Sequence, residues 1–201
     1  MITVVDYGVG NLGSIRNMLK RIGADAVVTN DLQTIARASK LLLPGVGAFD
    51  NAMRRINSSD LRMILDRKVL QERVPVLGVC LGMQLLTRSS EEGSLPGLGW
   101  IEASTLRFTP RPDLKVPHMG WNLTTRPRAS ALTNGLPEDA RFYFVHSYYV
   151  RVEHEEDSVL KATYGNTFDA AIQRANIFGA QFHPEKSHKF GMQFLANFAR
   201  L

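Results

Sequence analysis

The first half of the chain alternates short β-rich apolar runs with amphipathic stretches, and no other feature limits the possible fold as much. Strands are predicted at residues 2–5, 26–29, 41–43 and 75–79. Helices are predicted at residues 12–22 and 61–69, where apolar residues recur every three or four positions, and from Leu81 to Leu86. Strands that alternate with helices indicate a parallel sheet covered by helices on both faces.

The second half is richer in strands. They are predicted at residues 115–122, 141–151, 159–164 and 169–182, with turns at residues 135–137 and 175–176 and a closing helix from Phe190 to Leu201. We interpret these strands as a mixed or antiparallel extension of the parallel sheet. The predicted fold class is therefore α/β, with a single doubly wound, largely parallel sheet in one domain, residues 1–201.

Composition excludes several classes of protein. No apolar run approaches the roughly 18 residues that cross a membrane, and the N-terminus lacks the pattern of a secretory signal. The net charge is +5, but the basic residues are scattered, which disfavours nucleic acid as a partner. Cys80 is the only cysteine and has no partner for an internal disulfide, so we expect a reducing, cytoplasmic location.

The most specific local pattern is Gly78-Val79-Cys80-Leu81-Gly82, where a buried strand meets a helix. Glycines two residues before and after Cys80 permit the tight turn that displays a nucleophile. The helix N-terminus favours the thiolate, and the Leu81 amide is placed to donate to an oxyanion. The alternative is a buried, inert cysteine.

A nucleophilic cysteine needs a base, and His183 is the candidate because it follows an apolar strand. Pro184 restricts its backbone, and Glu185 is placed to orient its imidazole. One alternative is a polar turn after an edge strand. The other is a metal site formed by His183, Glu185 and His188, although the histidines lack the paired spacing of structural zinc sites.

Glycines after the third strand supply candidate oxyanion donors. Gly45-Val46-Gly47 follows Pro44, and glycines let the backbone turn its N–H groups towards a substrate. A simple strand-terminating turn explains the same residues equally well.

Taken together, these segments resemble the class I glutamine amidotransferases. Residues 78–84 and 181–187 are similar to the nucleophile and His/Glu motifs of that family. Residues 6–11, 43–49, 115–122 and 142–148 resemble one branch of it, the glutaminase subunits of imidazole glycerol phosphate synthases. The similarity extends over nearly the whole chain.

The resemblance implies roles for individual residues. Cys80 would attack the glutamine carboxamide, His183 would act as base and then acid, and Glu185 would orient His183. The oxyanion would be held by Leu81 and by Gly45, Val46 and Gly47. The implied glutamine-binding residues are Gly47, Gln84, Glu92, His146, Ser147 and Tyr148. No cofactor and no metal are expected.

The implied partner is a (β/α)₈ cyclase subunit that receives the ammonia and makes imidazole glycerol phosphate and AICAR in histidine biosynthesis. The residues expected to face it are Asn11, Pro117, Met119, Trp121, Tyr143 and Lys186. Asp50, residues 99–102 and residues 188–192 depart from the histidine-pathway pattern. They resemble a paralogous branch that supplies ammonia for amidination of a surface-polysaccharide sugar.

Two further hypotheses stay open from the sequence. One is a non-catalytic binding or regulatory module on the same scaffold, although an intact Cys80, His183 and Glu185 argues against it. The other is a cysteine-dependent hydrolase that acts on small esters.

Overall fold

The computed structural model describes all residues, Met1–Leu201, in twelve β-strands and six α-helices. The strands are β1 (Ile2–Val5), β2 (Ala26–Thr29), β3 (Leu41–Gly45), β4 (Val76–Cys80), β5 (Ser89–Ser90), β6 (Ala103–Arg107), β7 (His118–Leu123), β8 (Arg141–His146), β9 (Tyr148–Val152), β10 (Ser158–Tyr164), β11 (Asn166–Arg174) and β12 (Ile177–Ala180). The helices are α1 (Leu12–Arg21), α2 (Leu32–Ala36), α3 (Phe49–Asn57), α4 (Leu61–Asp66), α5 (Leu81–Leu85) and α6 (His188–Arg200).

One large sheet has the order β2-β1-β3-β4-β12-β11-β9-β6-β5. The strands from β2 to β12 run parallel, and β11 and β9 continue the sheet in antiparallel pairing. The predicted α/β class, with a largely parallel sheet and an antiparallel extension, is confirmed.

Neighbouring residues of each central strand pack against opposite layers. Val4 and Leu42 belong to the apolar cluster that includes α1 and α6, whereas Val5, Leu41 and Leu43 belong to the cluster that includes α3, α4 and α5. Because both faces are covered, β1, β3 and β4 are wholly buried and almost entirely apolar, with Thr3 the one polar side chain among them. No helix is both long and apolar enough to cross a membrane.

Two details of the predicted second half are wrong. Residues 141–151 are not one strand, because the chain breaks at Ser147 into β8 and β9. β7 and β8 form a separate two-stranded ribbon, in which His118 pairs with His146 and Trp121 with Tyr143. The ribbon projects one row of apolar side chains outwards, since Met119, Trp121 and Leu123 are exposed.

Helix α3 was not predicted from the sequence, although its apolar pattern is regular. Phe49, Ala52, Met53 and Ile56 are buried at helical spacing. The helix starts without a capping side chain of its own, and the Glu92 carboxylate accepts from the Phe49 amide at 3.0 Å instead.

Strand order brings the candidate residues to one edge of the sheet. β12 and β3 are the parallel neighbours of β4, with Ala180 opposite Val79 and Gly45 opposite Cys80. Their carboxyl ends therefore meet where ligands bind in open α/β sheets.

Candidate active site

Cys80 lies in a tight turn between β4 and α5. Its backbone has φ +55° and ψ −111°, a combination that L-residues rarely adopt. Backbone strain of this kind persists only where the surrounding packing enforces it. The Leu81 amide belongs to the first turn of α5, so it has no acceptor within the helix.

Two glycines make this turn possible. A Cβ atom on Gly82 would lie 1.8 Å from the carbonyl oxygen of Leu43, and one on Gly78 would lie 2.5 Å from the carbonyl oxygen of Gly82. Both obstacles are backbone atoms in buried elements, which do not move aside as a flexible side chain would. The helix therefore crosses the end of β3 only because these two side chains are absent.

His183 follows β12 and is fixed from both sides. Its amide donates to the Tyr143 carbonyl at 2.9 Å, and its carbonyl accepts from the Ser187 hydroxyl at 2.6 Å. Its Nδ1 lies 2.9 Å from Oε1 of Glu185. The Nε2 atom is buried without a partner at hydrogen-bond geometry, and the Cys80 sulfur lies close enough to influence the charge of the ring.

The charges around His183 favour the imidazolium. Burial lowers the pKa of His183, but the hydrogen bonds and charges of Cys80 and Glu185 outweigh burial and raise it to about 10. At neutral pH His183 therefore holds a proton beside the sulfur. A protonated imidazole on this side of the cavity can act as an acid for a group that the Cys80 sulfur attacks.

The loop after β3 forms another wall of the site. Val46 and Gly47 line the same cavity as Cys80, and Gly47 has φ +101°. Gly45 is not among the lining residues. It packs under the turn, where a Cβ would lie 2.9 Å from the Gly82 nitrogen.

Tyr7, which the sequence analysis did not single out, braces this loop. Its hydroxyl donates to the Pro44 carbonyl at 2.7 Å. Burial raises the pKa of Tyr7, and the charge of Cys80 raises it further, so the hydroxyl stays a neutral donor. The signal available was its position two residues after β1, at the same edge of the sheet.

A cavity of about 380 Å³ opens in front of Cys80. It is lined by Val46, Gly47, Cys80, Leu81, Gln84, Glu92, Pro117, Val145, His146, Ser147, Tyr148, His183 and Lys186. All six residues expected to bind glutamine lie on its wall. Gln84 is more constrained than expected, because its Nε2 donates to the Tyr148 carbonyl and to Oε1 of Gln181, both at 3.1 Å.

Gln181 is the second residue that the sequence analysis missed. Its Nε2 lies 3.9 Å from Sγ of Cys80, and the side chain is fully buried. The residue stands in the motif quoted above, two positions before His183. Nothing in that spacing showed that its amide reaches the sulfur.

The residues expected to face a partner lie mainly around the ribbon. Met119 and Trp121 are 63% and 44% exposed. Trp121 packs edge-on against Tyr143, and the Lys186 ammonium lies 5.8 Å from the centre of the Tyr143 ring. Pro117 lines the cavity, whereas the Asn11 side chain accepts from the Ser14 amide and begins α1.

A second cleft, of about 770 Å³, adjoins this surface. Its basic side chains are Arg21, Arg141, Lys186, His188 and Lys189, and Trp121 and Phe190 add apolar area. His188 packs against the Trp121 ring, with 5.4 Å between the ring centres. No group of three His, Cys, Asp or Glu side chains is arranged to hold a metal ion.

Comparisons with known proteins identify a family and several relatives. A model of the family "glutamine amidotransferase class-I" matches residues 3–201. Two relatives named imidazole glycerol phosphate synthase subunit HisH 2 are each 52% identical to the chain. The protein from Methanococcus maripaludis aligns over 200 residues, 100% of this chain and 99% of its own, and that from Pseudomonas aeruginosa over 201 residues, 100% of both.

Among solved structures, one described as a glutamine amidotransferase superposes with a TM-score of 0.75. It covers 100% of this chain and 99% of its own at 18% identity, a level that shows the fold alone.

We expect Gly82→Ala to destroy the turn at Cys80. The added methyl group has no space beside the Leu43 carbonyl, so the free energy of unfolding falls by about 3 kcal/mol, which urea denaturation measures. The matched control is Gly13→Ala in α1, where no atom lies within 4 Å of the new Cβ. Equal stability of the two variants would contradict the packing argument.

We expect Glu185→Gln to lower the pKa of His183 from its value of about 10. The carboxylate favours the imidazolium, so its replacement by a neutral amide lowers that pKa by about one to two units. A titration of the His183 ring by ¹H–¹⁵N NMR measures the change. The exposed Glu138→Gln serves as control, and an unchanged His183 titration in Glu185→Gln would refute the charge argument.

Proposed function

Because the chain belongs to the class I glutamine amidotransferase family, we propose that Cys80, His183 and Glu185 hydrolyse glutamine and release ammonia for a partner enzyme. The chain is a glutamine amidotransferase, and its 52% identical relatives favour the glutaminase subunit of an imidazole glycerol phosphate synthase, in histidine biosynthesis. The proposal rests on one observation, the meeting of the strained Cys80 with the His183–Glu185 pair at one edge of the sheet.

The first step is attack by the Cys80 thiolate on the carboxamide carbon of glutamine. A C–S bond forms, and the carbonyl electron pair moves to oxygen. The amides of Leu81 and of Val46 and Gly47 are the candidate donors to that oxyanion. The Val46–Gly47 peptide has freedom to turn, since Val46 is exposed and no atom lies within 4 Å of a Cβ built on Gly47.

The second step is collapse of the tetrahedral intermediate. His183 gives its proton to the amide nitrogen, the C–N bond breaks, and ammonia departs. A γ-glutamyl thioester remains on Cys80. Neutral His183 then takes a proton from water as the water attacks the thioester. As the new C–O bond forms, the C–S bond breaks and its electron pair returns to the sulfur. The carboxylic acid of the product loses its proton to solvent, glutamate departs, and the imidazolium–thiolate pair is restored. Glu185 holds the ring throughout by accepting from Nδ1.

Ammonia released in this way must avoid bulk water, because it is protonated there at neutral pH and loses its nucleophilic lone pair. We propose that the (β/α)₈ cyclase subunit covers the cavity and takes up the ammonia. The exposed row Met119, Trp121 and Leu123 provides an apolar contact area beside the cavity, and Lys186 lines both the cavity and the basic cleft. The basic cleft favours an acidic face on the partner.

A reducing cytoplasm suits this chemistry, because the nucleophile is the single free cysteine of the chain. A single amidotransferase domain, residues 1–201, belongs to the same proposal.

A second candidate is the paralogous branch that supplies ammonia for amidination of a surface-polysaccharide sugar. His188, one of the residues that depart from the histidine-pathway pattern, contacts Trp121 on the surface proposed for the partner. Asp50, another such residue, has a structural role, because it accepts from the amides of Ser94 and Leu95 at 3.1 Å. The site chemistry is the same in both candidates, and ammonia-dependent product formation with each kind of cyclase distinguishes them.

We expect Cys80→Ala and His183→Ala to abolish glutamine hydrolysis in the complex with the cyclase and its ligand. Loss of the nucleophile or its acid lowers kcat by about 10³-fold or more. Release of glutamate, followed by a coupled assay, measures the effect, and the wild-type chain alone should hydrolyse glutamine far more slowly than the complex. His154→Ala, at a half-exposed site near Glu102, is the control. Wild-type rates in Cys80→Ala would eliminate Cys80 as the nucleophile.

We expect Met119→Ala and Trp121→Ala to weaken binding of the cyclase subunit. Truncation of an exposed apolar side chain that becomes buried at an interface raises Kd by about tenfold. Isothermal titration calorimetry measures the change. Met63→Ala is the matched control, since Met63 is 65% exposed on α4 and Met119 is 63% exposed on β7. If Met63→Ala weakens binding as much as Met119→Ala, the ribbon is not the docking surface.

A further inference from the structure

A chain of hydrogen bonds, exposed where it begins and buried where it ends, runs from the ribbon to the sulfur of Cys80. It starts at Asn122 on β7, whose Nδ2 lies 2.9 Å from the Thr163 carbonyl and 3.3 Å from Nε2 of His118. Nδ1 of His118 lies 3.0 Å from Nε2 of His146, and Nδ1 of His146 lies 2.7 Å from the Tyr148 carbonyl. We call this set, together with Gln84 and Gln181, the relay.

The same Tyr148 carbonyl continues the relay. It accepts from Nε2 of Gln84, which also donates to Oε1 of Gln181, and Nε2 of Gln181 faces Sγ of Cys80. Every member from His118 to Gln181 is therefore tied to the next by a direct contact, with no gap to be filled by water.

The direction of each bond follows from its carbonyl acceptors. The Tyr148 carbonyl only accepts, so His146 must carry its hydrogen on Nδ1. A neutral His146 then accepts at Nε2, which requires His118 to donate from Nδ1. His118 in turn accepts at Nε2 from Asn122, whose second amide hydrogen goes to the Thr163 carbonyl. One arrangement of hydrogens satisfies all of these groups.

The amide orientations at the other end are fixed in the same way. Gln84 has to point its NH₂ group at the Tyr148 carbonyl, and its other amide hydrogen then fixes the oxygen of Gln181. Gln181 is left with its NH₂ group towards the sulfur. An N–H group there stabilises a thiolate, whereas a carbonyl oxygen in the same place would repel it.

We propose that Gln181 donates a hydrogen bond to the Cys80 thiolate and that His118 and His146 are neutral positioning residues that hold it in this orientation. The reactivity of the sulfur then depends on a relay that begins on the strand proposed to meet the partner. The link to glutamine turnover rests on the proposed function; the link to the sulfur does not.

Packing and burial support the neutral, fixed state of both histidines. His118 is stacked between Phe144 and Tyr164, with ring centres 4.9 Å and 4.1 Å away. Burial lowers the pKa of His118 to about 4 and that of His146 to about 3. Neither ring takes up a proton at physiological pH, so the relay keeps its direction.

The titratable groups that face the sulfur are few. Tyr7 from the end of β1 and His183 from the end of β12 interact with it, and Glu92 and Lys186 line the same cavity. His146 faces His183 across the cavity. The Gln181→Glu substitution leaves all five of these groups in place.

The first experiment needs no variant. Imidazole ¹⁵N shifts of the full-length wild-type chain should show hydrogen on Nδ1 of both His118 and His146, with no titration of either ring between about pH 5.5 and pH 9. Hydrogen on Nε2 of His146 would overturn the proposal, because the Tyr148 carbonyl would then receive nothing from it.

The second experiment uses the single cysteine as its own reporter. The rate of alkylation of Cys80 by iodoacetamide is measured against pH in the wild-type chain, Gln181→Glu, His146→Leu and His146→Asn. Gln181→Glu keeps an acceptor for Gln84 but turns an oxygen towards the sulfur, so the pH midpoint of alkylation should rise by about one unit. His146→Leu removes a donor from Tyr148 and should raise it by about half a unit, and His146→Asn, which retains a donor at that position, should restore it.

The control variants for the alkylation experiment carry the same kinds of substitution at residues outside the relay. Gln173→Glu on β11 and the half-exposed His154→Leu should leave the midpoint at its wild-type value. A folded Gln181→Glu with the wild-type midpoint would overturn the proposal, as would His146→Leu and His146→Asn that behave alike.

Glutamine hydrolysis with the cyclase subunit, measured in parallel, separates this proposal from the proposed function. In that assay Gln181→Glu should lower kcat about tenfold with little change in KM, since its target is the sulfur and not the substrate. A wild-type complex without glutaminase activity would refute the proposed function. The alkylation midpoints and histidine tautomers would still decide whether the relay reaches Cys80.

Discussion

The absence of a side chain at Gly82 is the constraint on which the site depends. The backbone there passes so close to the Leu43 carbonyl that a Cβ would lie within 1.8 Å of it. This approach lets α5 start directly over the ends of β3 and β4, and it forces Cys80 into its left-handed conformation. The sulfur, the first amide of α5 and the loop after β3 come together for this one reason. The strain at Cys80 is offset by the apolar packing of the strands and helices on either side.

A nucleophilic Cys80 also needs an acid and base beside it, and the order of the strands places one there. β12 arrives from the far end of the sequence and inserts between β4 and β11, so that it runs parallel to β4 although its hairpin with β11 is antiparallel. That insertion places His183 beside Cys80. Ser187 then holds the turn by donating to the His183 carbonyl and accepting from the Tyr143 amide. The ribbon and the candidate acid are thus joined through β8, which carries Tyr143.

Patterns within a few residues of sequence predicted the turn at Cys80 and the parallel strands. Glycine spacing around Cys80 indicated the turn, and buried apolar runs indicated the parallel strands, because both follow from steric and burial rules that act within a few residues. The break at Ser147 depends on which strands β8 and β9 pair with, and alternation along the chain does not reveal partners. Tyr7 and Gln181 act through contacts across 37 and 101 residues of sequence, so their roles became visible only once the strand order was known.

The imidazoles of three histidines near the site differ in pKa because their surroundings differ. His183 has a carboxylate on one side and the sulfur on the other, and its pKa rises to about 10 despite burial. His118 and His146 pack against aromatic rings and against each other. Burial lowers the pKa of His118 to about 4, and burial together with the charges of His118 and His183 lowers that of His146 to about 3. An acid for departing ammonia must be charged before the reaction begins, whereas a relay that orients an amide must never charge. Glu185, which contacts only His183 among them, is therefore the residue that separates the two roles.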